Sequence, residues 1–331
     1  MTLKQERLRS EGAYHEAAEE KPVPVLLDGY CDRWLRLQQT KVKESTLVKY
    51  TTIVNKHIKP FLGQIPVMQL SAICIEQFGY HLLYDKQLSP KTVKDILMVL
   101  HGVCRYVDKR YPAQLPPFDM PYPKVARREM RVLTAEEQRR LVGYLLNQID
   151  GCKLGVLIAL RTGIRIGELC ALRWRDISLE QKTVKIKTTM QRLKNLNQTG
   201  AEKTRVVISE PKSDRAVREI PLMQPLFALC RQYYPADAEA FLLTGRADRY
   251  MEPRTMQYRL AEYAAACHLS DIHFHTLRHT FATRCVESDF EIKSLSEILG
   301  HATPRITLER YVHSSMELKR SNMNKLAVIG F

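Results

Sequence analysis

Histidine and arginine are concentrated in one part of the chain, residues 268–313. Six of the ten histidines lie there, together with Arg278, Arg284, Arg305 and Arg310. An arginine side chain binds phosphate oxygens in pairs and stays protonated, and a histidine side chain donates or accepts protons near neutral pH. Phosphoryl transfer without a metal needs fixed cations, a nucleophile and an acid for the leaving oxygen. The composition of this segment therefore predicts phosphoryl-transfer chemistry.

The motifs of other common chemistries are missing from the sequence. It contains no GxxxxGK(S/T) phosphate loop, no GxGxxG fingerprint, no HExxH pair and no acidic cluster of the two-metal type. The eight cysteines lie at least 18 residues apart, which favours buried thiols in a reducing compartment over a metal site. His275 and His279 could bind a metal from one helix face, but Arg278 would place a cation beside it. We therefore expect neither a metal nor another cofactor.

The charge of the chain indicates a polyanionic partner. Its 331 residues include 51 Lys and Arg against 36 Asp and Glu, a net charge of +15, and such an excess is typical of nucleic-acid-binding proteins. The longest apolar run, residues 154–160, is too short to span a bilayer. The first residues are polar and show no secretory signal. The sequence thus argues against an integral membrane or secreted protein, and we expect a location in the bacterial cytosol, at the nucleoid.

The elements that position these residues begin with a small all-helical domain, predicted over residues 23–110 behind a flexible lead-in of residues 1–22. Apolar spacing predicts four helices that begin near residues 23, 45, 71 and 89. Pro60 and Gly63 should end the second helix near Ile58. Ser89 should cap the fourth helix, with a proline in its first turn.

Periodicity fails in residues 111–131, which contain five prolines. Prolines keep a segment extended, and the basic side chains there favour a phosphate surface. We interpret the segment as a linker that crosses DNA between two domains; an ordinary solvated linker is the alternative. The candidate DNA-binding residues are Lys124, Arg127, Arg128 and Arg131.

The second domain, predicted over residues 132–315, mixes helices with strands. Thr134 and Glu137 have the spacing of a capping box at a helix start. Alternating apolar residues predict strands at about 183–187, 205–208 and 217–222, with helices before and after them. The fold class is therefore mainly α with a small β-sheet, an N-terminal helical domain being followed by an α+β domain.

Four segments resemble motifs of the tyrosine recombinase (phage integrase) family, and they occur along the chain in the order that the family has. Residues 162–169, TGIRIGEL, resemble its first arginine box, and residues 275–279, HTLRH, resemble its HxLRH box. Residues 299–302, LGHA, with Tyr311 ten residues after the histidine, resemble its LGH…Y segment. Residues 211–214, PKSD, resemble the hairpin that carries the family's lysine. The resemblance covers about residues 23–313. It is specific because four motifs match together in order and spacing, whereas any one of them alone would be a weak signal.

The resemblance implies the principal catalytic roles. Tyr311 would attack the scissile phosphate, leaving a 3′-phosphotyrosyl link and a free 5′-hydroxyl. Arg165 and Arg278 would hold the non-bridging oxygens and stabilise the transition state. Lys212 would protonate the departing 5′-oxygen. The resemblance also implies a reaction without a metal or nucleotide cofactor. Strand exchange would need no ATP, because the phosphotyrosyl ester conserves the energy of the broken bond.

The resemblance also implies roles for four neighbours of these residues. His275 would help take the tyrosine proton and return it on resealing, and His301 would donate a hydrogen bond to the phosphate. Glu168 and His279 would support the residues that react.

The rest of the chain is interpreted through the same resemblance. The helical domain resembles a SAM-like core-binding domain, which grips DNA opposite the catalytic domain. A hairpin over about residues 188–206 resembles the strand insertion of conjugative-transposon integrases; an ordinary variable loop is the alternative. The tail, residues 316–331, is expected to pack either on a neighbouring protomer or on its own domain. The polar lead-in is too short for the arm-binding domain of many integrases.

We therefore expect a metal-independent, site-specific recombinase that excises and integrates a mobile element. Its expected partners are double-stranded recombination sites, three further copies of itself in a tetramer on two sites, and an accessory DNA-bending or excision factor. Resolution of chromosome dimers is the alternative within the class, and a type IB topoisomerase uses similar chemistry. A catalytically silent DNA-binding regulator on this fold is the alternative from another class.

Overall fold

The computed structural model describes residues 26–111, 119–126, 130–196, 202–210 and 217–311, with residues 320 and 323. The chain divides into two compact units, Met1–Arg127 and Arg128–Phe331. Over the described parts, no helix has the length and apolar character that a membrane crossing requires.

The N-terminal unit is helical. Its helices are α1 (Leu27–Gln39), α2 (Glu44–Ile53), α3 (Lys59–Leu62), α4 (Ala72–Tyr80) and α5 (Pro90–Arg110). A π-helical segment, Val54–Ile58, joins α2 to α3, a 3₁₀ turn, Val67–Gln69, follows α3, and a second π-helical segment, His81–Asp85, extends α4. The four predicted helices are present, and the chain between α2 and α3 stays helical.

Helix α5 shows how the local sequence determines where a helix of this unit begins and which of its faces is buried. The Ser89 hydroxyl accepts a hydrogen bond from the backbone N–H of Thr92 at 3.2 Å, and Pro90 occupies the first turn, as predicted. One face of the helix, which includes Ile96 and Leu100, is buried in the core of the unit. Burial of each such side chain contributes about 1.5–3 kcal/mol, so the apolar stripe decides which face turns inward.

The predicted end of the second helix near Ile58 is wrong. The chain continues through the π-helical turn into α3, which carries Pro60 in its first turn and ends at Gly63. Proline lacks the N–H that an α-helical ladder uses, but a first-turn position needs no such donor. A wider π turn directly before it shifts the hydrogen-bonding pattern, so Pro60 interrupts the ladder without ending the helix.

The C-terminal unit combines eight α-helices with five strands within its described residues. The helices are α6 (Ala135–Leu146), α7 (Gly151–Thr162), α8 (Ile166–Ala171), α9 (Gln224–Gln232), α10 (Pro253–Ala266), α11 (Phe274–Glu287), α12 (Ile292–Leu299) and α13 (Pro304–Tyr311). The strands are β1 (Ile177–Ser178), β2 (Thr183–Ile186), β3 (Thr189–Lys194), β4 (Thr204–Ser209) and β5 (Arg218–Pro221), and a 3₁₀ turn, Trp174–Asp176, precedes β1. The predicted capping box at Thr134 is present at the start of α6.

The strands form two small antiparallel sheets where one was predicted. Strands β1, β2 and β5 make a three-stranded sheet, in which Val184 faces Ile220. Strands β3 and β4 make a separate hairpin, paired from Thr189–Ser209 to Lys194–Thr204, at the position of the predicted insertion. The predicted tip at Gly200 lies outside the described residues.

The main core of this unit is built around α7, whose side chains are buried on every side from Leu154 to Leu160. A helix buried all round explains why that apolar run lacks helical periodicity. The eight cysteines, all within the described ranges, are free thiols, and six of them are buried. Burial raises the pKa of these six thiols, consistent with the predicted role in packing.

Candidate active site

Arg165 stands at the junction of α7 and α8. Helix α7 ends at Gly163, whose φ of +66° is left-handed, and a Cβ there would lie 2.7 Å from Phe281 and 2.8 Å from Leu299. Glycine is therefore required both by the turn and by the packing. The backbone N–H of Arg165 donates to Glu168 Oε2 at 2.8 Å, and its Nη1 donates to Glu168 Oε1 at 2.9 Å. Its side chain keeps 38% of its surface exposed, so it can still meet a ligand.

Arg278, on α11, is buried and held by backbone carbonyls. Its Nη1 donates to Gly163 O at 2.7 Å and its Nη2 to Leu299 O at 2.6 Å. Burial, and then the charge of Arg165, lower its pKa from 12.5 to about 9, which leaves it protonated at neutral pH. A buried cation beside a second cation offers an anion charge-assisted hydrogen bonds.

His301 follows the left-handed Gly300 that ends α12. Its Nε2 lies 3.0 Å from Arg278 Nη2, and its Nδ1 lies 2.8 Å from Thr307 Oγ1. Because a guanidinium can only donate, Nε2 accepts that hydrogen bond, and we assign the ring proton to Nδ1. Burial, and then the charge of Arg278, lower the pKa of His301 to about 3, so the ring is neutral at pH 7.

Tyr311 is the last residue of α13 and is 6% exposed. Its hydroxyl lies 2.9 Å from His279 Nδ1, and its ring stacks on His301 with centroids 6.3 Å apart. Burial raises the pKa of Tyr311 above its usual value of 10, while the positive charges of Arg278 and Arg310 oppose that rise. The hydroxyl thus contacts a proton acceptor and lies in a cationic environment.

The structure places His279, rather than His275, against the tyrosine hydroxyl. His275 lies one helical turn earlier on α11, is exposed, and stacks on His279 with centroids 6.2 Å apart. Burial, and then the charge of His275, lower the pKa of His279 to about 4. Desolvation, and then Arg278, lower that of His275. The role assigned to His275 stays a prediction, and His279 is the ring in position to exchange a proton with Tyr311.

Sequence reasoning missed the role of Arg218, on β5. Its Nη2 lies 2.8 Å from Glu168 Oε2 and its Nη1 lies 3.1 Å from Glu168 Oε1, with both side chains about 95% buried. Burial alone would raise the pKa of Glu168, but the hydrogen bonds and charge of Arg218 lower it overall. A signal was available, because Arg218 shares the inward face of its strand with Ile220.

Several predicted residues fall elsewhere or outside the described ranges. Lys212, Arg127 and Arg128 lie outside them. Lys124 is exposed, and Arg131 is ion-paired with Glu137 at 2.5 Å. Across the part of the chain that the structure describes, no group of three or more His, Cys, Asp or Glu residues could hold a metal ion.

Two protein-family models match the chain. The phage integrase family model matches residues 131–317, and the phage integrase N-terminal SAM-like domain model matches residues 27–83. The chain belongs to the phage integrase family. It is a tyrosine recombinase, an enzyme that cleaves and rejoins DNA at specific sites, as the sequence predicts.

The relatives of the recombinase include one named as XerC-like and one named as an integrase. A tyrosine recombinase described as XerC-like, from Caldanaerobacter subterraneus subsp. tengcongensis, is 26% identical over 315 residues, covering 87% of this chain and 79% of that protein. The ICEBs1 integrase of Bacillus subtilis is 22% identical over 291 residues, covering 83% and 75%.

Solved structures confirm the predicted fold of the recombinase. The Tn1549 transposon integrase, in complex with a circular intermediate DNA, matches with a TM-score of 0.75 and 19% identity over 91% of this chain and 99% of that one. A lambda integrase tetramer bound to a Holliday junction matches with a TM-score of 0.63 and 17% identity over 88% and 78%. A SAM-like helical domain followed by a mainly helical catalytic domain is thus the architecture of this chain.

Proposed function

We propose that Tyr311 is the nucleophile of the recombinase. Its oxygen attacks the scissile phosphorus, the bond from phosphorus to the 5′-oxygen breaks, and the products are a 3′-phosphotyrosyl ester and a free 5′-hydroxyl. The single observation that carries this assignment is the position of the buried Tyr311 hydroxyl, 2.9 Å from the neutral His279 ring and close to the charge of Arg278. An ordinary packing tyrosine has no reason to lie between a cation and a base.

Arg165 and Arg278 stabilise the negative charge that develops on the non-bridging oxygens. Both guanidinium groups are held by acceptors before DNA binds, Arg165 by Glu168 and Arg278 by two carbonyls. Cations that are fixed in advance need little reorganisation as the charge grows, which is the main source of electrostatic catalysis. The imidazole of His301 lies 3.0 Å from the Arg278 guanidinium and adds a polar group next to it.

The reaction needs two proton transfers, one from the tyrosine hydroxyl and one to the leaving 5′-oxygen. A base for the tyrosine proton must be neutral and within hydrogen-bond reach, and His279 meets both conditions with its pKa of about 4 and its 2.9 Å contact. His275, one turn away, can accept the proton from His279 or contact the DNA. Lys212, which precedes β5 by six residues, supplies the proton for the leaving 5′-oxygen.

We propose excision and integration of a mobile element as the biological role. The hairpin of β3 and β4 and the similarity to a transposon integrase that was solved with circular intermediate DNA support this choice. Four protomers act on two DNA sites in the cytosol, an assembly supported by the lambda integrase tetramer that was solved bound to a Holliday junction. An accessory DNA-bending or excision factor sets the direction of recombination. The XerC-like relative supports chromosome-dimer resolution as the second candidate.

A covalent-adduct assay tests the proposed chemistry. Wild type and Tyr311→Phe are incubated in EDTA with DNA from the flanks of the gene and resolved on a denaturing gel, with Tyr263→Phe, another buried tyrosine of this unit, as the matched control. A DNA-linked band is expected for wild type and Tyr263→Phe only. A band with Tyr311→Phe would assign the nucleophile to another residue, and loss of the wild-type band in EDTA would overturn the metal-independent reaction.

A further inference from the structure

Arg218 is a buried arginine of the C-terminal unit that has no part in the chemistry proposed above. It begins β5, and its buried guanidinium lies between α8 and the end of α12. Besides its two contacts with Glu168, its Nε donates to Ile298 O at 2.5 Å. One side chain therefore contacts the sheet, the helix that follows the first arginine and the turn that precedes His301.

Glu168 connects Arg218 to Arg165. The two Glu168 oxygens accept from Nη1 and Nη2 of Arg218, and the same oxygens accept from Nη1 and the backbone N–H of Arg165. A forked contact fixes the plane of a carboxylate, which a single hydrogen bond leaves free to rotate. Arg218 therefore helps to fix the plane of the carboxylate that Arg165 contacts.

The turn before His301 rests on the same side chain. Gly300 has a φ of +62°, and a Cβ at this position would lie 3.1 Å from Arg218 Nη1. The Gly300 carbonyl in turn accepts from Arg165 Nη2 at 3.3 Å. The Arg218 guanidinium thus packs beneath the turn from which His301 projects, and one support serves residues from two separate motifs.

We propose that Arg218 is a positioning residue, which sets Arg165 through Glu168 and sets His301 through the turn at residues 298–300. The proposal rests on the proposed function of Arg165 as a ligand of the scissile phosphate. A merely structural ion pair would instead affect cleavage only in proportion to the folded fraction, because removal of one partner of a buried pair destabilises the fold.

The test compares cleavage of a normal phosphodiester with cleavage of a methylphosphonate, in which a methyl group replaces one charged non-bridging oxygen. A site with displaced arginines suffers less when that charge is removed. Arg218→Met should slow single-turnover cleavage of the phosphodiester about 10-fold or more, within the range for members of one network, and slow the methylphosphonate by about 3-fold or less. Combining Arg218→Met with Arg165→Ala should add nothing to the defect of Arg165→Ala alone.

Two further variants keep the test decisive. Arg218→Lys retains the charge but cannot fork to both oxygens, so it should fold normally and show a smaller defect with the same substrate dependence. Lys187→Met removes the partner of another buried carboxylate, Asp176, 2.6 Å from Lys187, and should lower stability with equal effects on both substrates.

An equal defect of the Arg218 variants on both substrates, or a defect that multiplies with that of Arg165→Ala, would overturn the positioning role. Failure of the proposed function looks different, because Arg165→Ala would then cleave the phosphodiester at the wild-type rate. The two failures are therefore read from separate variants.

Discussion

The arginine side and the tyrosine side of the site are supported in different ways. Arg165 and Arg278 are held by a buried carboxylate and by backbone carbonyls, one of which belongs to Gly163 at the end of the deeply buried α7. Tyr311 belongs to a small satellite cluster with Ala282, Leu295 and Leu299. Segments with small cores open more readily than those in the main core. We therefore expect the arginine side, anchored to the main core at Gly163, to be the rigid half of the site and the tyrosine side to be the adjustable half.

The largest effect is expected from a substitution in the rigid half of the site. Arg278→Lys keeps a positive charge but loses the planar fork that reaches Gly163 O and Leu299 O together. We expect adduct formation with saturating DNA to slow by about 10²-fold or more, comparable to loss of one oxyanion donor. Arg284→Lys, on the same helix and 2.5 Å from Glu287, is the control. Near-normal adduct formation by Arg278→Lys would show that the fork is dispensable.

A smaller effect is expected from the adjustable half, where it also decides which histidine takes the proton. His279→Asn leaves an oxygen that can accept the Tyr311 hydrogen bond but no basic nitrogen, and we expect adduct formation to slow by about 10- to 100-fold, at the low end for general-base catalysis. His279→Ala should be equally slow. His275→Asn, measured in parallel, is the control. A larger defect in His275→Asn than in His279→Asn would return the base role to His275.

The smallest expected effect concerns stability and pH. The folded-state pKa of His301 is about 3, below its ordinary value of 6.5, so the unfolded chain binds a proton more readily. The free energy of unfolding should therefore fall as pH drops from about 6.5 towards 3, by on the order of 1–3 kcal/mol from this group. Urea unfolding at pH 7 and pH 5 measures it. His301→Gln should flatten the dependence, and an unchanged slope would assign it to other groups.

Those parts of the molecule that short sequence segments encode were predicted well. Ser89 and Thr134 predict helix starts, because each N-cap involves only the three residues that follow it. Both caps are present in the structure. Arg165, Arg278, His301 and Tyr311 come from separate motifs and lie together in the structure. The order of the motifs predicts that these residues lie together, because the order is typical of a family with one three-dimensional arrangement. Local helix and strand propensities do not contain this information.

The features that were missed depend on distant or unusual geometry. Pro60 is a strong local stop signal, and only the π turn before it shows why the helix continues. The choice between His275 and His279 depends on where α13 packs against α11, which no local pattern reports. Arg218 lies in a strand that the sequence predicts, but its partner Glu168 lies 50 residues earlier in the chain.

The sharing of Glu168 between two arginines has a consequence for charge balance. Glu168 cancels the charge of one of the two guanidinium groups that it contacts, those of Arg165 and Arg218. The positive charge left on this pair, together with that of Arg278, makes the arginine side cationic before DNA binds. Negative charge grows on the non-bridging oxygens as the tyrosine attacks. The attraction to these cations is therefore stronger in the transition state than in the substrate, which is the differential binding that catalysis requires.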